Sequence, residues 1–445
     1  MAKKKQIELT IEEKLQNALV PKEEQPYKIP NNWCWIRLEN IAEWGSGGTP
    51  SRKRKEYYNG NIPWIKTGEL NNGYIFNSEE KITELGLKNS SAKLYPINTV
   101  IIAMYGATIG KVGILSIEAT TNQACACAIV YKNILFKYVF HYLIYQKEAF
   151  INKSKGGAQP NLSQEIIKKH EIPLPPIKEQ QRIVNIIESL FVKLDRAKEL
   201  IENTLAQFEQ NKMAILHKAF TGELTAKWRK ENNIDLSSWK KCELKEVFKV
   251  VKDKYNPQTE NQIVNYIGLE NIETSKGIIS KNNSSEVKSI KTKFKKDDVL
   301  YGKLRPYLNK HDVVNFDGIC STDILVFRFN DINTAKYINY YFNLPMFIQY
   351  AVENSSGINL PRVSEKTISK YKISLPTIEE QQEIVNILDK LLAKYNKIKN
   401  LEQQLEKIEL LKKAILAKAF RGELGTNNPD EESAENLLKE ILAEK

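Results

Sequence analysis

The chain has 445 residues, 42% of them apolar and 9% aromatic, and a formal net charge of +12. That length calls for two or more domains, and no apolar run reaches the ~18 residues of a membrane span. The start, MAKKKQIELTIEEKL, has no apolar stretch before its first acids and is not a signal peptide; the five cysteines form no CxxC pair, as expected of reduced thiols in a cytoplasmic protein.

Residues 1–28 are a helical extension stopped by Pro21, and residues 29–176 are a first globular piece. There, β-branched runs such as TVIIAM and AIVY are strands, with Cys125 and Cys127 on one packed face, and FKYVFHYLIYQKEAFINK (Phe136 to Lys153) is an amphipathic helix. Residues 177–236 are a long helix and linker. Residues 237–376 are a second mixed α and β piece, with a helical pattern at Ala335 to Val352. Residues 377–424 form another long helix, and 425–445 an acidic helical tail after Pro429. The charge is uneven. Residues 29–176 hold 17 Lys and Arg against 11 Asp and Glu, residues 237–376 hold 22 against 15, and the remainder 27 against 28. A polyanion touching both globular pieces suits that distribution; a chain merely rich in lysine would carry the excess everywhere.

The two long helices repeat each other. IPLPPIKEQQRIVNIIESL (from Ile172) returns as ISLPTIEEQQEIVNILDKL (from Ile373), and AILHKAFTGEL (from Ala214) returns as AILAKAFRGEL (from Ala414). Proline before each helix and Gly222 or Gly422 after it are start and stop signals. In the first, Ile183, Ile187, Leu190, Leu194, Ala197, Ile201, Leu205 and Phe208 recur at three- and four-residue steps. In the second, Ile384, Leu388, Leu391, Tyr395, Ile398, Leu401, Leu405 and Ile408 do the same. So narrow a seam must pair with another helix. Its own repeat, folded back antiparallel, is the simplest partner; helices of other proteins are the alternative.

The globular pieces share a frame but not the residues between. Trp33 matches Trp239, IPWIKTGEL (from Ile62) parallels NYIGLENI (from Asn265), and NTVIIAMYGATIGKVGI (from Asn98) parallels DDVLYGKLRPYLNK (from Asp297). TNQA (from Thr121) parallels STDI (from Ser321), and GGAQPNLS (from Gly156) parallels SGINLPRVS (from Ser356). Duplication followed by divergence of a reading surface gives that pattern.

No catalytic motif stands out. GATIGKV is one residue short of a phosphate-binding loop and lacks its hydroxyl, and the four histidines have no metal-ligand spacing. The remaining chemistry is recognition. Ser46, Gly47, Gly48 and Thr49 form a glycine turn running into Arg52, Lys53 and Arg54, a set suited to phosphates, although such a run can also be a solvated loop. Lys66, Thr67, Lys111, Asn122, Gln123, Gln159 and Asn161 complete the first set of DNA-contact candidates. Lys303, Arg305, Tyr307, Asn309, Lys310, Thr322, Asp323, Asn359 and Arg362 form the second, since Arg can read guanine and Asn adenine.

PLPPIKEQQRIV with PTIEEQQEIV, KAFTGELTAKWR with KAFRGELG, the W…L…I/V opening of each piece and GKLRPYLNK together resemble the specificity subunits of type I restriction–modification systems over almost the whole chain. The resemblance implies an α+β fold: two target-recognition domains separated by two long antiparallel helices in a coiled coil. It implies that each domain reads half of a split site in double-stranded DNA. It further implies that the helices dock two methyltransferase subunits and, through them, restriction subunits. No cofactor is expected in this chain; S-adenosylmethionine, ATP and Mg belong to the partners. The second piece lacks the GSGGTP turn, which leaves that loop without a counterpart. A coiled-coil scaffold with two protein-binding heads is the rival reading.

Overall fold

The computed structural model describes residues 9–154, 161–260, 262–274, 276–396 and 399–444. The chain forms two compact units, one running to Glu199 and resuming at Gln404, the other Leu200–Gln403. Each unit is one globular head with half of each long helix. Among the described residues no helix is long and apolar enough to cross a membrane.

In the first unit a five-stranded sheet has the order Ala42–Ser46, Cys125–Val130, Val100–Ala103, Val112–Leu115, Gly73–Ile75. Its middle strand is apolar without alternation because both faces are covered. Val100 and Ile102 join one core with Ala126 and Ala128, whereas Ile101 and Ala103 join another with Cys125 and Cys127. Successive side chains take opposite faces, so the two cysteines share one, as expected. A three-stranded sheet orders Glu80–Ile82, Tyr58–Ile65 and Thr120–Thr121, the last two parallel. Cys34–Arg37 pairs antiparallel with Glu171–Leu174, fastening the head's entry to its exit.

The second unit repeats the plan. Val299–Gly302 lies within a sheet ordered Lys249–Val250, Ile324–Arg328, Val299–Gly302, His311–Val313. Val299 and Tyr301 face one core and Leu300 the other. Asn265–Ile267 runs parallel to Gly318–Cys320, as Trp64 and Ile65 do to Thr120 and Thr121. Here Lys291–Phe294 and Lys254–Tyr255 widen that sheet to five strands. Lys240–Glu243 with Lys372–Leu375 closes the head. Each expected head helix is in fact two: Phe136–Tyr145 and Lys147–Lys153 break at Gln146, whose ψ of 4° leaves the helical well, and Ile332–Tyr341 gives way to Pro345–Glu353, where Pro345 starts the new helix.

Ile177–Phe220 is one continuous helix of 44 residues, about 65 Å at 1.5 Å per residue. Its repeat is Ile378–Asn396 and Lys399–Phe420; the seam candidate Ile398 lies outside the described residues. In the first unit Asp195 pairs with Lys412 at 2.5 Å and Lys198 with Glu409 at 3.3 Å, so the helix halves run antiparallel. In the second unit the segment just past Phe220 reaches Glu380 in the first turn of the repeat, the same antiparallel sense. Ile183, Ile187, Ile384, Leu388 and Ile408 are buried, and Leu190, Leu194, Ile201, Leu205, Leu391 and Leu405 half-buried.

The expected narrow seam needs correction where the helices meet the heads. Ile183, Val184 and Ile187 share a core with Tyr138, Leu143, Leu416 and Phe420; Ile384, Val385 and Leu388 share one with Tyr337, Ile338 and Leu216. There each helix packs on a head as well as on its repeat, and its apolar stripe widens accordingly. This explains the repeated closing phrase. The Phe420 ring lies 5.2 and 5.0 Å from Tyr138 and Tyr142 of the first head, and the Phe220 ring lies 5.1 and 4.9 Å from Tyr337 and Tyr341 of the second. The terminal segments also meet: Leu15 and Ala18 of Ile11–Ala18 share a core with Leu438 and Leu442 of Ala434–Ala443, and Lys439 pairs with Glu12 at 3.1 Å.

Candidate nucleic-acid interface

Three loops are tied together in each head by the same main-chain hydrogen bonds. In the first, Met104 N donates to Ala124 O (2.8 Å), Leu162 N to Met104 O (2.9 Å), Asn122 N to Ile65 O (2.9 Å) and Ala103 N to Lys111 O (2.9 Å). In the second, Lys303 N donates to Asp323 O (2.9 Å), Val363 N to Lys303 O (3.0 Å), Ser321 N to Ile267 O (2.9 Å) and Gly302 N to Lys310 O (2.7 Å). Tyr105 bridges to Asn161 as Leu304 does to Arg362. The loops thus brought together carry most of the residues singled out from sequence.

In the first head Arg52, Lys53, Arg54, Gln123 and Asn161 are exposed, and Ser46, Thr49, Lys66, Thr67, Lys111 and Asn122 are half-buried. Gln159 lies outside the described residues. Two expectations are corrected. The Gly47 and Gly48 amides do not await a phosphate: they donate to Cys125 O (3.3 Å) and Thr121 O (2.8 Å). A Cβ at Gly47 would stand 2.2 Å from Thr121 O, so glycine serves close backbone approach here. Arg52 and Lys66 are not free cations either. Arg52 donates to Glu80 at 2.6 Å and covers the Tyr58 and Trp64 rings at 4.4 and 4.9 Å, while Lys66 donates to Glu79 (3.0 Å) and Glu80 (3.1 Å). The Arg52 hydrogen bond, more than any other contact, holds the Glu80 carboxyl below the usual carboxylate range. Among the described residues the Arg54 guanidinium makes only an exposed pair with Glu56 at 3.4 Å, worth at most about 1 kcal/mol and readily exchanged for a phosphate. Asn122 accepts from Cys125 Sγ (3.2 Å), and Thr49 Oγ1 donates to Gln123 Oε1.

In the second head Arg305, Tyr307, Thr322, Asn359 and Arg362 are exposed, and Lys303, Lys310 and Asp323 half-buried. Asn309 is buried, which corrects its reading as an adenine contact: Nδ2 donates to Phe342 O (3.0 Å) and meets His311 Nε2 (3.1 Å). His311 Nδ1 faces Asn339 Oδ1 at 2.7 Å, and burial lowers the imidazole to about 4, so the ring is neutral with Nε2 accepting. Lys310 is corrected likewise, since its ammonium donates to Leu269 O at 2.8 Å. Asp323 holds cations rather than facing a base: Arg362 Nε lies 3.1 Å away and Lys303 Nζ 4.0 Å. Arg305 has φ 52°, a left-handed conformation pinned by its N–H donating to Pro361 O at 2.7 Å.

Sequence patterns did not reveal what the EQQ phrase does. Glu380 is fully buried; it accepts from Thr225 Oγ1 (2.6 Å), Arg229 Nη1 (2.5 Å) and Trp239 Nε1 (2.8 Å). Glu179, equally buried, accepts from Thr426 Oγ1 (2.6 Å) and Arg182 Nη2 (2.5 Å), and Arg182 also grips Glu431 (2.7 Å). The carboxylate that opens each EQQ phrase therefore holds the stretch of chain that follows the other helix. The next residue ties helix to head: Gln180 accepts from Leu135 N (3.0 Å) and donates to Pro175 O (2.9 Å), and Gln381 accepts from Thr334 Oγ1 (2.7 Å) and donates to Pro376 O (2.8 Å). No periodicity reports such polar duties; only the repetition hinted at them.

Two heads of one design on repeated, antiparallel helix halves define a duplicated recognition protein. The type I restriction modification DNA specificity domain matches residues 30–209 and again 237–410, and the chain belongs to that family. It is 26% identical to the type I restriction enzyme MjaIX specificity subunit of Methanocaldococcus jannaschii, over 89% of this chain and 94% of that one. It is 28% identical to the EcoDI specificity subunit of Escherichia coli, over 94% and 96%. Its fold matches the crystal structure of the HsdS subunit from Thermoanaerobacter tengcongensis with a TM-score of 0.55 and 20% identity, covering 90% of this chain and all of that one.

Proposed function

We propose that the chain is the DNA-recognition subunit of a type I restriction–modification complex, in which each head reads one half of an interrupted word and the long helices fix the gap. The observation that carries this is the shared backbone frame: matching main-chain hydrogen bonds present Gln123 and Asn161 in one head and Arg305, Tyr307 and Arg362 in the other. Equivalent supports with different side chains suit two base sequences. Methyltransferase subunits dock on the helices, and restriction subunits join through them. S-adenosylmethionine, ATP and Mg act in those partners, and this chain binds and positions. The family relatives, whose names place them in such enzymes, support this reading.

Titrating a DNA duplex that carries the half-words with the purified chain, alone and with its methyltransferase partner, tests the proposal across salt. With 6–10 phosphates neutralised, affinity falls by about 10³–10⁵ between roughly 50 and 200 mM salt. A flat salt response favours a scaffold with protein-binding heads instead.

A further inference from the structure

The loop Ser356–Arg362 in the second head closes on itself. Ser356 N donates to Arg362 O (2.9 Å) and Arg362 N to Ser356 O (2.8 Å), while Arg305 N to Pro361 O (2.7 Å) and Val363 N to Lys303 O (3.0 Å) fix it to its neighbour. Gly357 makes the turn with φ 102°, a conformation other residues rarely adopt. At the tip stands Ile358, 101% exposed, the most open large apolar side chain among the described residues. Leu360 follows at 43%, and Tyr307 on the adjoining loop is 54% exposed. Around them lie Arg305 and the pair Lys303 and Arg362 that shares the Asp323 carboxylate, three cations to one anion. A lone exposed apolar residue is ordinary. A β-branched one, presented by a doubly hydrogen-bonded hairpin within a cationic rim, has the parts of a DNA wedge: cations for the phosphates and a stiff apolar tip for the step between bases.

We propose that Ile358 enters between two stacked base pairs of the half-word read by the second head, unstacks that step and bends the duplex there. The inference rests on the DNA reading above. It also separates the heads. At the 201-residue offset of the equivalent pairs that follow, Leu162 with Val363 and Ser163 with Ser364, Gly157 answers to Ile358. Glycine has no side chain to fill an opened step, so the distortion belongs to one half-word only.

The test uses the assembled methyltransferase complex and duplexes in which adenines outside the methylated position are replaced one at a time by fluorescent 2-aminopurine. The wild-type complex is expected to brighten the probe severalfold at one step of the second half-word and nowhere in the first. Ile358→Ser removes that brightening and binds about tenfold more weakly, the scale of one lost base-pair contact; Ile358→Leu keeps both. Thermal unfolding of both variants stays at the wild-type value, because the side chain touches nothing. Brightening unchanged in Ile358→Ser, or absent from a wild-type complex that still retains the DNA, overturns the wedge alone. A wild-type complex that retains no DNA at any salt overturns the DNA reading and the wedge with it.

Discussion

The two heads agree in their main-chain bonds and differ in their side chains. Met104, Ala124 and Leu162 in one head take the positions of Lys303, Asp323 and Val363 in the other, with no likeness of side-chain type among the first two pairs. A frame written in N–H and C=O groups puts no demand on side-chain identity, so the loops it carries can change freely. The helix feet are the reverse case. Glu179 and Glu380, Gln180 and Gln381, and Phe420 and Phe220 each do their work with the side chain, and these are the positions where the repeat is verbatim. Freedom at the tips and constraint at the feet let one scaffold serve many words.

The largest effect should come from breaking that constraint unevenly. In Glu380→Ala the Arg229 guanidinium is left buried without its carboxylate, whereas in Glu179→Ala the Arg182 guanidinium keeps Glu431. An uncompensated buried charge costs about 3–5 kcal/mol. Denaturant unfolding should therefore show Glu380→Ala destabilised by that order and Glu179→Ala by clearly less. Equal losses would mean that Glu431 gives no shelter.

A smaller effect concerns pH. Burial lowers His311 to about 4 in the second head and His170 to about 3 in the first, where the Lys153 ammonium adds to burial. Below an unfolded value of about 6.5 the unfolded chain takes up protons that these buried rings refuse, so stability falls as pH drops toward the folded values. Between about pH 6.5 and 5 each ring removes about 2 kcal/mol. Denaturant midpoints for wild type and His311→Gln over that range check the sign: the variant's stability should fall less steeply. Parallel lines would contradict it.

Much of the architecture was legible because periodicity and repetition carry it. The long helices, the paired heads and the antiparallel return follow from the seam and the duplicated phrases. That the loops of one head answer to those of the other was legible in TNQA and STDI and their neighbours; that three of them converge is shown by the main-chain hydrogen bonds alone. Contacts between side chains distant in sequence were not legible. Arg52 and Lys66 read as free cations because nothing local announces Glu80, and Asn309 read as a base contact because its burial depends on Phe342 and His311. The glycine turn looked like a phosphate cradle until Thr121 and Cys125 claimed its amides. Ile358 passed unnoticed because one apolar residue in a loop has no period.

The most direct measurement is a genome-wide map of methylated sites in the host, made with the native chain and with one whose residues 237–376 are exchanged for those of a relative. The account predicts a word of two short halves at constant separation, and an exchange that rewrites one half while leaving the other half and the separation as they were. An uninterrupted word, or an exchange that alters both halves, would contradict it.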